Sequence, residues 1–464
     1  MSMTATVYYA LAFAFCTFVA LLKWNEVRYR RKGLPPGTMG FPLIGETSLF
    51  INQGPAFMKR RRSMYGSLFT THALGSPLIV SMDSELNRYI LMNEAKGLVP
   101  GYPESMKTIL GNNVAEVHGA MHKRIRGSLL SLIGPAALKE YIFPKMDKFM
   151  RSFLHNWNGK TIDIQQKATQ MAFFVVLEQI VENEPISFHE SFEAIFENIF
   201  LGTISLPFNI PGTNYYKGLK AREEVNAILR ELIAKRRASS VTHDDSLDRL
   251  MRNDGSKDKL NDEEIIDQIV TMLYSGYETV STTTMMAVKY LHDHPKALQA
   301  IREEHFAIQQ NKKPGELISW EDYKNMTFTR AVILETLRHA NVVNGVMRRT
   351  TTSDVELDGF TIPKGWRIYV YTRETNLDPF LYSEPFTFNP WRWLEKSLET
   401  HNYNMLFGAG GRVCPGKEQG ICKISLFLHY FVTKYRWEEA EGNKLLKFPR
   451  VFAPKGLHIR VTKY

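Results

Sequence analysis

Two periodicities divide the chain. Between about residues 120 and 345 apolar positions recur at helical spacing and prolines are few, which predicts a mainly helical body. The clearest helix start is Asn261-Asp262-Glu263-Glu264, a capping residue followed by an acidic first turn. The apolar-periodic run that follows reaches about Leu291 and stops near His294-Pro295. Short β-like runs interrupt the helical pattern: SLFTTHA and SPLIVSM between 50 and 100, DVELDGFTI and WRIYVY between 350 and 400, and LHIRVTKY at the end. Residues 236–259 are polar and charged and read as an exposed connector, and a further helix is expected after Cys414. There is no internal repeat, and no linker divides the chain after residue 37. The expectation is a mainly α body with a small β region, a single domain over 38–464.

Residues 2–22 carry no charged side chain, and the apolar heart VYYALAFAFCTFVALL occupies 7–22. A helix needs about 20 apolar residues to span a bilayer. A cleaved signal would place basic residues before this run; here Lys23, Arg28, Arg30, Arg31 and Lys32 follow it. The reading is a single transmembrane helix over 1–23 whose basic end stays cytosolic. Residues 24–37, basic and ending in Pro35-Pro36-Gly37, are expected to be a stiff extended hinge. The chain's charge of +10 admits a nucleic acid, an anionic membrane or an acidic partner. Much of the excess lies here and at 59–62, consistent with a membrane-facing side and with no nucleic-acid role. Composition is ordinary globular, 44% hydrophobic and 23% charged, which excludes a disordered chain. Three cysteines (Cys16, Cys414, Cys422) exclude a disulfide scaffold.

The chemistry concentrates in FGAGGRVCPG, residues 407–416. Three readings compete. A phosphate loop nearly fits Gly411 to Lys417, but Glu418 replaces the hydroxyl that would hold a magnesium ion and would repel a triphosphate. A zinc or redox pair with Cys422 lacks the usual spacing. A thiolate ligand for haem iron needs a lone cysteine near a helix N-terminus, small neighbours that admit a flat macrocycle, and a cation such as Arg412 for a propionate.

Phe407, Gly410, Arg412, Cys414 and Gly416 match the signature F-x-x-G-x-R-x-C-x-G, and the chain resembles the cytochrome P450 superfamily from about Trp24 onward. The resemblance implies that fold, haem b on Cys414, and an NADPH- and O2-dependent monooxygenase served by NADPH-cytochrome P450 reductase. It gives Glu335 and Arg338 the role of a buried E-x-x-R pair, with Arg392 of FNPWRW as third partner; alone, such a pair at i and i+3 is usually surface decoration. Ser275-Gly276-Tyr277-Glu278-Thr279 resembles the family's [AG]-G-x-[DE]-T, departing at Ser275. Thr279 and Glu278 would then deliver protons to bound oxygen, and the mid-helix glycine, costing about 1 kcal/mol against alanine, would let oxygen approach. The plain alternative is a threonine bonded to its own helix. Arg126, with His122 beside it, and Arg348 or Arg349 are the propionate candidates.

Longer stretches resemble the plant brassinosteroid C-6 oxidases: WNEVRY, LGTISLPFNIPGTNYYKG, YSGYETVSTTTMMAVKYLHDHPKAL, PKGWRIYVYTRE and LHYFVTKYRWEE. That resemblance implies oxidation of 6-deoxocastasterone to castasterone through a 6-hydroxy intermediate, at the endoplasmic reticulum membrane with the catalytic domain cytosolic. Ile109, Gly276, Val342, Val343, Val346 and Phe452 are the expected wall of an apolar steroid pocket, and Asn344 is either a hydroxyl anchor or a turn residue. Another plant terpenoid substrate, or a non-catalytic haem sensor or electron carrier, are the alternatives.

Overall fold

The computed structural model describes residues 3–464 apart from 43, 183–185, 253–259, 314 and 352. The chain forms two compact units, residues 1–101 with 344–375, and residues 102–343 with 376–464.

The first unit contains a five-stranded sheet. Its strands run in the order Leu68–Ala73, Ser76–Ser81, Arg367–Tyr371, Gly345–Thr350 and Leu98–Pro100. All pairs are antiparallel except Ser76–Ser81 with Arg367–Tyr371. Every residue of Leu68–Ala73 is buried, so this β-branched and aromatic run packs on both faces. Val355–Leu357 and Phe360–Ile362 form a separate hairpin, as the DVELDGFTI run suggests.

A helix does occupy Met3–Leu22. Among the described residues, however, no helix is long and apolar enough to cross a membrane. The uninterrupted apolar part, 7–22, spans 16 residues, or about 24 Å at 1.5 Å per residue, against about 30 Å of hydrocarbon. The hinge expected over 24–37 is also corrected. Trp24–Tyr29 is helical, and the Asn25 amide is buried against the Phe41 carbonyl at 2.5 Å. Residues 35–38 dock on the sheet edge: the Thr70 N–H donates to the Pro36 carbonyl (2.9 Å) and its hydroxyl to the Pro35 carbonyl (2.8 Å). Proline cannot donate, but its carbonyl accepts from an edge strand that has donors to spare.

The second unit is mainly helical, with one three-stranded antiparallel sheet of Thr161–Asp163, His458–Lys463 and Tyr435–Glu439. Its central element is the helix Asp262–Asp293, started by a full capping box between Asn261 and Glu264 as the sequence predicts. Twenty of its residues are buried, too many for a helix with one solvent face, so it runs through the core. Against it pack Ile164–Ile180, Thr327–Ala340 and Lys417–Lys434. Cys422 is sealed inside the last of these.

The connector expected over 236–259 is instead partly structural. Ser246–Met251 is helical, and the buried Arg236 guanidinium joins Asp245 (2.7 Å) and Asp248 (2.9 Å); residues 253–259 lie outside the described residues. Ile109 lies at a helix crossing. Helices Ile186–Thr203 and Asn214–Ala238 cross at Gly202 and Gly218, where a Cβ on either glycine would sit 2.8 Å from the other's Cα. The fully buried Ile109 side chain fills this crossing, so its apolar character serves helix packing there.

Candidate active site

The loop 407–416 folds back on itself before the helix Lys417–Lys434. The Cys414 N–H donates to the Phe407 carbonyl at 2.8 Å, closing the loop, and Gly408 and Gly410 take the left-handed conformations the turn requires (φ 78° and 66°). A Cβ at Gly411 or Gly416 would meet nothing within 4 Å, so small residues leave open space on both sides of the cysteine.

Two arginines converge on this loop from other elements. Arg126, on the helix Gly119–Ile133, donates to the Val413 carbonyl at 2.7 Å. Arg412 donates to the carbonyls of Val114 (2.9 Å) and Val117 (2.7 Å). Burial holds the Arg126 pKa below its ordinary value, with the Cys414 sulfur opposing and Arg412 adding to the fall. His122 is buried one turn before Arg126. Cys414 itself is accessible at its surface yet enclosed enough that burial pushes its thiol pKa up. The Gly416 N–H, Arg126 and Lys417 pull in the opposite direction without overcoming burial. Cys422, eight residues on, has its thiol pKa raised much further by burial and no access to a ligand.

Glu335, Arg338 and Arg392 come together as the sequence pattern suggests, with more partners than it reveals. Glu335 and Arg338 are fully buried and doubly bonded, at 2.8 and 2.7 Å. Arg392 reaches the same carboxylate at 3.3 Å. The Asn389 N–H (2.9 Å) and the Trp393 indole N–H (2.7 Å) complete it. Burial pushes the Glu335 pKa up, but Arg338 and the other donors more than reverse this, leaving it below the usual carboxylate value.

The long helix separates Glu278 from Thr279. Adjacent helical residues point about 100° apart. The Thr279 hydroxyl donates to the Ser275 carbonyl at 2.6 Å. It belongs to a stripe in which Thr271, Ser275, Thr279 and Thr283 each bond the carbonyl four residues back. Ser275, the departure from the family pattern, is thus one rung of this stripe; the four-residue spacing was its sequence signal. Glu278 faces another way, into a polar cavity of about 380 Å³ shared with Gln170, Glu193, Glu197, Tyr277 and Phe452. There it pairs with Arg450 at 3.1 Å, a partner 172 residues away that no local pattern discloses. Gly276 turns its missing side chain toward the helix Ile164–Ile180, where a Cβ would lie 3.4 Å from Val176; its described neighbours give it a packing role.

The remaining expected residues scatter. Val342 is half-buried and Val343 is exposed. In the first unit, Val346, Arg348 and Arg349 share the strand Gly345–Thr350. Arg348 is buried and donates to the Met347 carbonyl; Arg349 is half-buried and donates to the Pro100 carbonyl. Neighbours on a strand face opposite ways, so only one of the two can serve a given face. Asn344 is neither a free anchor nor a simple turn residue: its side chain accepts from the Tyr369 hydroxyl at 2.6 Å.

A model of the cytochrome P450 family matches residues 35–460, and the chain belongs to that family. It is a haem monooxygenase that uses O2 and NADPH-derived electrons supplied through a reductase. Among named relatives, it is 60% identical to cytochrome P450 85A of Phaseolus vulgaris over 98% of this chain and 97% of the relative. It is also 60% identical to cytochrome P450 85A1 of Solanum lycopersicum, over 97% of each. At 38% identity, over 96% of this chain and 95% of the relative, it resembles the 3beta,22alpha-dihydroxysteroid 3-dehydrogenase of Arabidopsis thaliana. Among solved structures it is similar to retinoic acid-bound cyanobacterial CYP120A1, with a TM-score of 0.83, 27% identity, and coverage of 93% and 99% of the two chains.

Proposed function

We propose that this monooxygenase oxidises C-6 of 6-deoxo brassinosteroids, converting the methylene first to a 6-hydroxy compound and then, at the same carbon, to the 6-ketone. The carrying observation is that similarity to the 85A relatives runs through nearly the whole chain rather than only the haem loop. Cys414 would hold the haem, which when bound would supply dioxygen activation at a cost of two electrons and two protons per turn, with one water released. Arg126 is one of the charges that act on the sulfur, and Arg126 and Arg412, converging on the cysteine loop, are the candidates to meet propionates. Cys414 fits the ligand role because its loop has open space at Gly411 and Gly416 and its thiol is accessible. Thr279, whose hydroxyl proton is given to the Ser275 carbonyl, keeps its lone pairs available and would accept a hydrogen bond on the oxygen side. Glu278, paired with Arg450 at the edge of a polar cavity and with its pKa raised by burial, is suited to take part in proton transfer. The second oxidation gives a geminal diol, which loses water to the ketone; a rigid ring system keeps one carbon in place for both steps.

On the same reading the protein would work at the endoplasmic reticulum membrane, with the catalytic domain cytosolic and NADPH-cytochrome P450 reductase as electron donor. Mass-spectrometric turnover in microsomes containing that reductase tests the substrate. The expected result is a 6-hydroxy steroid that accumulates early, declines, and is itself accepted. One methylene in a hydrophobic pocket is worth about 1–3 kcal/mol, so 6-deoxo steroids differing in the side chain should also react. Inert 6-deoxo steroids alongside an oxidised triterpene or diterpenoid would overturn the substrate and leave the monooxygenase.

A further inference from the structure

Three helices of the second unit meet at two histidines that the reaction, as described, does not use. His305 on the helix Pro295–Gln310 and His429 on Lys417–Lys434 are both fully buried. Their Nδ1 atoms lie 3.1 Å apart, and the rings meet edge to face with centres 4.9 Å apart. The other nitrogen of His305, Nε2, lies 2.9 Å from the buried Thr329 hydroxyl, in the first turn of Thr327–Ala340. The Glu304 carboxylate accepts from the Phe328 N–H (2.7 Å), the Thr329 N–H (3.0 Å) and the Thr329 hydroxyl, so it caps that helix from a neighbouring one. This fixes the order of protons along the line. A hydroxyl that has given its proton to a carboxylate can only accept, so His305 donates to it through Nε2–H. His305 Nδ1 is then bare, and His429 supplies the proton between the two rings. Both rings are neutral, each in a single tautomer.

We infer that His305 and His429 form an acid-labile clasp: while both rings are neutral it fastens the helix that follows Cys414 to Pro295–Gln310 and Thr327–Ala340, and a proton on either ring opens it. The geometry leaves no charged alternative. A proton on His305 Nδ1 would face the His429 N–H across 3.1 Å, two donors with no acceptor between them. A proton on His429 would leave a buried charged ring. Burial holds the His305 pKa well below the ordinary histidine value, with His429 adding to the fall, and it pushes His429 down to about 4. The charged groups on the surrounding elements do not rescue the cation. Asp322 favours charge on His429, but Lys434 and Lys312 oppose it, and Asp322 itself bonds Lys312 at 2.6 Å. Asp147, on Phe143–Phe153, is taken by the Tyr430 hydroxyl (2.6 Å) and the Ile318 N–H (3.1 Å). Arg330, on Thr327–Ala340, is engaged by Glu399 and Glu418, and Glu304 by the helix start it caps. The unfolded chain thus takes up protons that the folded clasp refuses. The stability contributed by the clasp is complete above the ordinary histidine value of about 6.5 and is lost as pH falls from there toward the folded value of about 4.

Histidine hydrogen–deuterium exchange of the purified holoprotein, read by mass spectrometry, tests the two rings individually. The ring C2 protons of His305 and His429 should exchange far more slowly than that of the exposed His401 and show no titration near the ordinary histidine value. Urea unfolding supplies a second readout. Between neutral and mildly acidic pH, over about two pH units, each clasp histidine should raise the unfolding equilibrium constant about tenfold. His429→Asn keeps a donor near the Nδ1 position but cannot titrate, so about tenfold of that pH dependence should disappear. His305→Gln keeps a donor for Thr329 and should lose as much, whereas His401→Gln should lose none. Ordinary titration of either buried ring in the wild-type protein would overturn the clasp. So would a His429→Asn protein whose pH dependence matches the wild type. If neither clasp variant folds, the exchange measurement on the wild-type protein decides alone.

Discussion

Glu335 and Glu278 are both carboxylates buried beside arginines in the helical unit, and their proton affinities move in opposite directions. Burial raises both. Around Glu335 the opposing donors are Arg338 with two bonds, Arg392, the Asn389 N–H and the Trp393 indole, and they prevail. Around Glu278, among the described residues, Arg450 alone opposes, at 3.1 and 3.5 Å, and burial prevails. The first carboxylate has no solvent exposure; the second keeps about a quarter of its side-chain surface and borders the polar cavity. A carboxylate with every lone pair satisfied serves as a structural pin. One with a single partner among the described residues, beside a cavity, takes up a proton more readily.

The largest effect should come from dismantling the satisfied site. Glu335→Ala leaves the fully buried Arg338 without its counter-ion and should cost about 3–5 kcal/mol, seen as loss of folded holoprotein in thermal or urea unfolding. A stable holoprotein would show that the network is dispensable. Next in size is Thr279→Ala. Haem content and substrate binding should survive, while a major share of NADPH electrons is diverted into hydrogen peroxide, measured as product formed per NADPH consumed. Unchanged coupling would assign the hydroxyl to the helix stripe alone.

The smallest effect sharpens the comparison most. Glu278→Gln should change stability by less than about 1 kcal/mol at neutral pH, because Arg450 keeps its stacking on Phe452 and Phe200. Its pH dependence carries a sign. A carboxyl whose folded pKa is raised takes up protons on folding, so wild-type stability relative to Glu278→Gln should fall as pH rises from the ordinary carboxylate range through the folded value. Glu335, with a lowered pKa, has the opposite sign: its contribution is complete above the unfolded value and is lost as pH falls through the folded one. Parallel pH–stability slopes for the two sites would refute the contrast.

These sites also show what a sequence can disclose. Glu335 and Arg338 are legible because i, i+3 spacing places them on one helix face, and Asn261 with Glu264 because a cap is a local device. The haem loop is legible because its turn confines five fixed positions to a stretch of ten residues. Asn389 and Trp393 are not, because they reach Glu335 only after 54 and 58 residues of intervening chain. Arg450 is hidden from Glu278 for the same reason. Ile109 looks like a pocket residue because an apolar side chain does not say what it packs on; the answer lies in two glycines on other helices that allow a close crossing. Gly276 reads as an oxygen-side glycine from its motif, and the helix packed against its bare face is set by tertiary structure.

The central claim is that Cys414, open and flanked by cations, is the iron ligand, whereas Cys422, sealed in its helix, is not. The reduced carbon-monoxide spectrum tests it directly. Cys422→Ala should keep the red-shifted Soret band of a thiolate-ligated haem, and Cys414→Ala should lose it. A Cys414→Ala protein that retains the band, or a Cys422→Ala protein that folds, binds haem and lacks it, would contradict the assignment.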